Sequence, residues 1–270
     1  PEVIKLSISF LVILPPDPVP VTCSRSTLFS DANFLTTGDN FKLVLLATGE
    51  DLTSSTLTST TSSTGSLTVS TSLDVSSLTE LLTDSGYSPE SITHVICTHL
   101  HVDHVGWNTR LVEGQWLPTF PNAEYLFVGT EFDHWSTTED LFGDPVFEDS
   151  VAPIQDAGLA NLVKADHTIG EFVRFESTPG HTPGHISVRI ESKGKKAVIT
   201  GDMTHSPIQI AKPELSSSFD TDPDLARETR WDAFERWADG ETLIIGTHFG
   251  TPTAGTMHRD GDAYRLAAKP

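Results

Sequence analysis

His99-Leu100-His101-Val102-Asp103-His104 is the stretch whose reading decides the fold. It sets three imidazoles and a carboxylate within six residues, directly behind the strand-like run 93–98, Thr-His-Val-Ile-Cys-Thr. Alternate side chains of an extended chain share one side, so His99 and His101 face a common point. A turn after them brings Asp103 and His104 towards a neighbouring point. One pair of imidazoles beside a mixed carboxylate/imidazole pair suits a two-ion site. The plainer reading is a hairpin or helix start that happens to be rich in histidine.

Three more polar groups follow apolar runs. Residues 178–185 read Thr-Pro-Gly-His-Thr-Pro-Gly-His, a rigid, tight loop in which Gly184 lets the backbone approach a bound ion. Its two histidines compete. His185 leads straight into a strand and is the expected ligand, with His181 in a supporting role. Gly201-Asp202 follows the apolar run 197–200, and Gly246-Thr247-His248-Phe249 follows 242–245. Taken alone, Asp202 reads as a turn residue and His248 as structural. Together the four groups share one pattern, polar residues at strand ends. The expected ligands are His99, His101, Asp103, His104, His185, Asp202 and His248. That set is imidazole-rich and thiolate-free, which suits two divalent ions, Zn first and Fe, Mn or Co as alternatives. His99, His101 and His185 form one half-site; Asp103, His104 and His248 form the other, with Asp202 between. A hydroxide shared by two Lewis-acidic ions is a nucleophile at neutral pH.

The H-x-H-x-D-H run, the P-G-H loop, the G-D after a strand and the late G-T-H together resemble the metallo-β-lactamase superfamily, in family order over roughly residues 90–250. The resemblance implies an α/β (α+β) fold, an αββα sandwich of two mixed sheets flanked by helices, with a dinuclear site at one sheet edge. The intact Asp202 and the absence of cysteine ligands look more like the N-acyl-homoserine lactonases and methyl-parathion-hydrolase-like enzymes than the antibiotic-degrading ones. The implied activity is hydrolysis of a lactone or carboxylic ester with an apolar tail. A phosphotriester is the alternative substrate, and a non-catalytic or damaged metal-binding homologue is the alternative of another class. Asp103 and Asp202 are expected to fix the ions and take the nucleophile's proton. His205 stands where such lactonases place a tyrosine, and is expected to polarise a carbonyl or protonate a leaving oxygen, or else to be a surface turn residue. A second departure is Ala47-Thr48-Gly49, where the family carries an Asp-Thr-Gly. Trp107, Phe132, Trp135 and Phe249 read as a pocket lining or as ordinary core.

Composition sets the outer bounds. Lysine and arginine number 17 against 37 aspartates and glutamates in 270 residues, a net charge of −20. Such a balance argues against nucleic acid and anionic membranes, and carries solubility. The expected partner is a small ester or lactone, with room for a homodimer. Cys23 and Cys97 are far apart, which leaves no disulfide framework, and Cys97 reads as buried packing. No run reaches transmembrane length. Residues 6–14, LSISFLVIL, read as an opening strand, with the remnant of a secretory leader as the alternative. The chain begins at Pro1, and a cytoplasmic location is the default expectation.

The length fits a single domain over 1–270, with residues before about 75 matching the family poorly. A hairpin is expected around 38–40, between 33–35 and 41–46. Sixteen of the twenty residues 53–72 are serine or threonine, a surface loop or an edge strand. A short helix is expected over 77–82, closed by Gly86, and further helices over 149–160 and 222–238. Strands are expected at 123–128, 172–175, 186–190, 197–200 and 242–245, the last clear one.

Overall fold

A computed structural model describes the backbone of residues 10–14 and 42–45, then 79–80, 82–83, 87–138, 143, 145–249 and 253–268. Its first sheet has the order β2-β1-β3-β6-β7. Here β1 is Phe10–Leu14, β2 Lys42–Leu45, β3 His94–Cys97, β6 Glu124–Val128 and β7 Ala160–Val163. β1 runs antiparallel to both β2 and β3, whereas β3, β6 and β7 are parallel. The second sheet has the order β14-β13-β12-β11-β10-β9-β8. Its strands are β8 Thr168–Ile169, β9 Val173–Ser177, β10 Ile186–Ser192, β11 Lys195–Ile199, β12 Asp239–Ile245, β13 Ala254–Asp260 and β14 Ala263–Ala268. All its neighbours are antiparallel except β11 and β12. A separate hairpin joins β4 (Thr109–Val112) to β5 (Gln115–Pro118).

The period of two along these strands sorts side chains into layers. In β3 and β6, Ile96, Leu126 and Val128 point inward to meet Val188, Ile190, Ile199 and Ile245 of the second sheet. The alternate residues Val95, Cys97, Tyr125 and Phe127 point outward and are covered by helices α2 (Gly129–Trp135), α3 (Val146–Ser150) and α4 (Ala152–Asp156), through Phe132, Trp135, Val146 and Ile154. On the far side, Val198 and Ile244 pack under α5 (Pro207–Ala211) and α6 (Pro223–Trp237), through Ile210, Ala233, Phe234 and Trp237. Helix, sheet, sheet, helix: the expected αββα order is the observed one. Cys97 is buried within it, and burial pushes its thiol up to about 12, consistent with packing.

Local expectations fared unevenly. The opening strand is β1, and β2 lies within 41–46. The described partner of β2 is β1; the rest of the expected hairpin, Ala47-Thr48-Gly49 and the 53–72 tract lie outside the described residues. Thr79, Glu80, Leu82 and Thr83 are helical, while Gly86 is not among the described positions. The helix expected over 149–160 starts earlier, at Val146, and breaks at Val151, whose φ of −121° is not helical. Pro153 restarts it as α4, and Ala160 is already in β7. Helix α6 matches its expectation: the Asp222 carboxylate accepts from Leu225 N–H at 3.0 Å, and proline occupies the first turn. The strand over 242–245 is not the last. β13 and β14 follow, joined around Gly261 at φ +61°.

Candidate metal centre

The polar groups converge because the strands that carry them end side by side. β3 delivers Thr98 and His99; β11 and its parallel neighbour β12 deliver Asp202 and His248. Ile186 N–H donates to Thr98 C=O at 3.0 Å, joining the start of β10 to the end of β3 across the two sheets. His101 then caps a single helical turn, α1 (Val102–Val105), which presents Asp103 and His104.

Two groups of atoms that could hold a metal ion result, each within 4.8 Å: His99, His101 and His181, and Asp103, His104, Asp202 and His248. His205 joins His181 and Asp202 in a third, overlapping group. In the first, His101 Nδ1 is 3.0 Å from both His99 Nε2 and His181 Nε2. In the second, Asp202 Oδ2 is 2.9 Å from His248 Nε2 and 3.2 Å from His104 Nε2. The same oxygen lies 3.9 Å from His99 Nε2 and 3.7 Å from His181 Nε2, so Asp202 stands between the groups. Thr247 Oγ1 holds the other oxygen, Oδ1, at 2.8 Å.

His181 takes the place expected for His185. Asp202 N–H donates to His185 Nε2 at 2.9 Å, and His185 Nδ1 faces Thr178 C=O at 3.0 Å. With both nitrogens engaged, His185 has no lone pair left for an ion; it braces the Asp202 turn from behind. Gly201 is required by that contact. Its φ is +56°, and a Cβ there would lie 2.5 Å from His185 Nε2. Gly184 likewise serves packing rather than an ion, since its Cβ would fall 2.6 Å from Cβ of Glu131.

Glu131, on α2, had no signal in the sequence. Only 1 % exposed, it accepts hydrogen bonds from Leu100 N–H at 3.1 Å, Trp135 Nε1–H at 2.7 Å and Gly184 N–H at 2.8 Å. It ties the H-x-H segment to the P-G-H loop. Of the four aromatics expected at a pocket, Trp135 packs edge-on to His101, ring centroids 5.1 Å apart. It also lines a half-open cavity of about 460 Å³ with Leu100, Val146 and Phe147. Phe132 and Phe249 are core instead, and Trp107 packs against the core.

Electrostatics divides the groups. Burial, reinforced by neighbouring imidazoles, holds His99 well below the usual histidine range and His101 at about 3, so both keep free lone pairs. Burial opposes charge in the second group too, but there the carboxylates win. Asp202, then Asp103, raises His104 to about 10, and Asp103 and Asp202 raise His248 to about 9. Asp202 and Asp103 are themselves held below the usual carboxylate range against burial, Asp202 chiefly by His104, Asp103 by His104 and His248. Positive charge is what these two carboxylates call for. His104 makes no hydrogen bond through either buried ring nitrogen, although Nε2 is 3.2 Å from Asp103 and Asp202. Orphaned buried nitrogens are rare without a ligand to satisfy them, and this donor set fits divalent cations.

The metallo-beta-lactamase superfamily pattern matches residues 60–252, well over half of the chain, and the chain belongs to that superfamily. It is 25 % identical over 150 residues to an N-acyl homoserine lactonase of Bacillus sp, covering 54 % of this chain and 52 % of the relative. It is 33 % identical over 128 residues to metallo-beta-lactamase domain-containing protein 1 of Xenopus laevis, covering 47 % and 44 %. The match thus spans about half the length of these curated relatives. Among solved structures, the hydrolase AbOPH of the beta lactamase superfamily aligns with a TM-score of 0.63 at 28 % identity, over 72 % of this chain and 70 % of that one. AidC, a dizinc quorum-quenching lactonase bound to N-hexanoyl-homoserine product, aligns with a TM-score of 0.60 at 25 % identity, over 72 % and 69 %.

Proposed function

We propose that this chain is a metal-dependent hydrolase that opens a lactone or cleaves a carboxylic ester carrying an apolar tail. The observation that carries the reading is the convergence of His99, His101 and His181 beside Asp103, His104, Asp202 and His248, with Asp202 between the two groups. His99, His101 and His181 would hold one divalent ion, Zn by preference, and Asp103, His104 and His248 a second, with Asp202 reaching both. Ions bound there supply Lewis acidity and bring the pKa of water towards neutrality. The protein's own part is positioning and proton handling. Asp103, half-exposed and kept ionised, is placed to take the proton of the attacking water. His205 Nε2 lies 3.3 Å from Asp202 Oδ2, while its Nδ1 has no hydrogen-bond partner. Its place beside Asp202 supports the task expected of it from sequence, carrying a proton to the departing oxygen. Leu100, Trp135, Val146 and Phe147 offer the tail apolar contacts in a cavity whose lining also includes Ser136, Thr137, Thr138 and Glu148. Relatives named as lactonases support this substrate class.

The test is metal analysis of the purified chain, joined to assays on an N-acyl homoserine lactone, an aryl ester and methyl parathion. About two metal ions per chain with turnover of the lactone or ester is the expected result. Faster turnover of methyl parathion would move the substrate class to phosphotriesters. Less than one ion per chain with no turnover would sink the hydrolase reading.

A further inference from the structure

His181 is held from behind by a buried carboxylate. Its Nδ1 lies 3.0 Å from Asp220 Oδ1, and an ionised carboxylate only accepts, so Nδ1 carries the proton and Nε2 presents its lone pair to His101 and Asp202. Asp220 is fixed in turn. Its Oδ2 accepts from Ser217 N–H at 3.0 Å and sits 3.7 Å from Arg230 Nη1, with both side chains fully buried.

Arg230 projects from α6 and grips the backbone on two sides. Its Nε and Nη2 donate to Pro213 and Leu215 C=O at 3.1 and 2.9 Å, in the segment leading to Asp220. Its Nη1 donates to Met203 C=O at 3.1 Å, one residue beyond Asp202. The loop and helix start dock on the His181 backbone as well. Thr221 N–H donates to His181 C=O and Asp222 N–H to Gly180 C=O, both at 2.9 Å. Gly180 leaves no room for a side chain, since a Cβ would come within 2.3 Å of Ala226 N.

We propose that Asp220 and Arg230 are a positioning pair: Asp220 fixes the tautomer of His181, and Arg230 locks the His181 loop to the Asp202 turn, setting the spacing of the two metal positions. The inference rests on the metal-dependent reading above. A planar guanidinium suits the task, because its donors leave in fixed, divergent directions that a lysine cannot reproduce. Carboxylates behind ligating imidazoles act in this way generally, and their loss typically costs about 10–100-fold in metal affinity or activity.

The experiment compares the full chain with Asp220→Asn, which keeps the side-chain shape, and Arg230→Lys, which keeps the charge. Folding of each is verified by circular dichroism. Imidazole ¹⁵N NMR on chelator-treated protein should show His181 as the Nδ1–H tautomer in the wild type, and a loss of that preference in Asp220→Asn. An Nε2–H tautomer in the wild type overturns the proposal even if the variant fails to fold. Zinc titration against a chromophoric chelator should then show one of two affinities weakened about 10–100-fold in Asp220→Asn and both weakened in Arg230→Lys. Wild-type zinc binding in either folded variant overturns the corresponding half of the pair. If the wild type binds no zinc, the hydrolase reading fails, while the tautomer measurement still decides the role of Asp220.

Discussion

His181 and His185 lie four residues apart in matching Pro-Gly-His contexts, yet their environments are opposite. What separates them is the identity of their partners, Asp220 for one and the Asp202 backbone for the other, and these are set by chain far away in sequence. Hence the residues that the structure gathers here were legible in the sequence, but the choice between these two histidines was not. His185→Ala should therefore leave the first metal position filled while loosening the second, because the Asp202 N–H loses its acceptor. Metal stoichiometry with a spectroscopic cobalt probe would check this, and loss of the His99/His101 position would contradict it. His205 belongs to the same scale. His205→Ala is expected to lower kcat by about 10²–10⁴-fold with metal content unchanged. An unaltered kcat would return this residue to the surface.

At the scale of elements, strands that run from apolar residues into ligands could be read directly, since burial on both faces of a sheet enforces long apolar runs. The run 93–98, the run 197–200 and the run 242–245 all proved to be such strands. β13 and β14 could not, because Gly255, Thr256 and His258 interrupt the first and Arg265 the second, leaving neither a long run of apolar residues. The clamp formed by Glu131 was equally invisible, being a non-local contact made by an ordinary helical glutamate. Its removal gives an element-level prediction. Glu131→Gln turns an amide NH₂ towards backbone N–H donors, leaving buried groups unpaired at about 1–3 kcal/mol. Urea denaturation should show that loss, together with weaker zinc binding as the H-x-H and P-G-H segments separate. Undiminished stability would mean that the two loops hold without it.

For the whole molecule, the opposite pKa shifts within the centre set a pH profile. Histidines titrate near pH ~6.5 when unfolded. The lowered pKa values of His99 and His101 mean that the unfolded chain binds more protons as the pH falls below that value, so stability drops towards about 3, the value for His101. The raised values of His104 and His248 contribute stability below ~6.5 that is lost as the pH climbs through about 9 and about 10. Thermal melts of chelator-treated protein should therefore peak near neutrality and decline on both sides. Added zinc should raise Tm most on the alkaline side, where an ion can replace those protons. A Tm gain from zinc that does not grow with pH would argue against ions sitting among these carboxylates.

The candidate ligands are contributed by chain on both sides of the sandwich: His99 and His101 follow a strand of the first sheet, Asp202 and His248 follow strands of the second. On the metal-dependent reading, ions held among these residues would close a loop that runs through most of the described chain, much as a covalent cross-link would. Metal uptake would then not be completed on a growing polypeptide until residue 248 has emerged and the two sheets have met. Such a centre would double as a checkpoint on assembly, because tight metal binding would report that the two halves had finished docking.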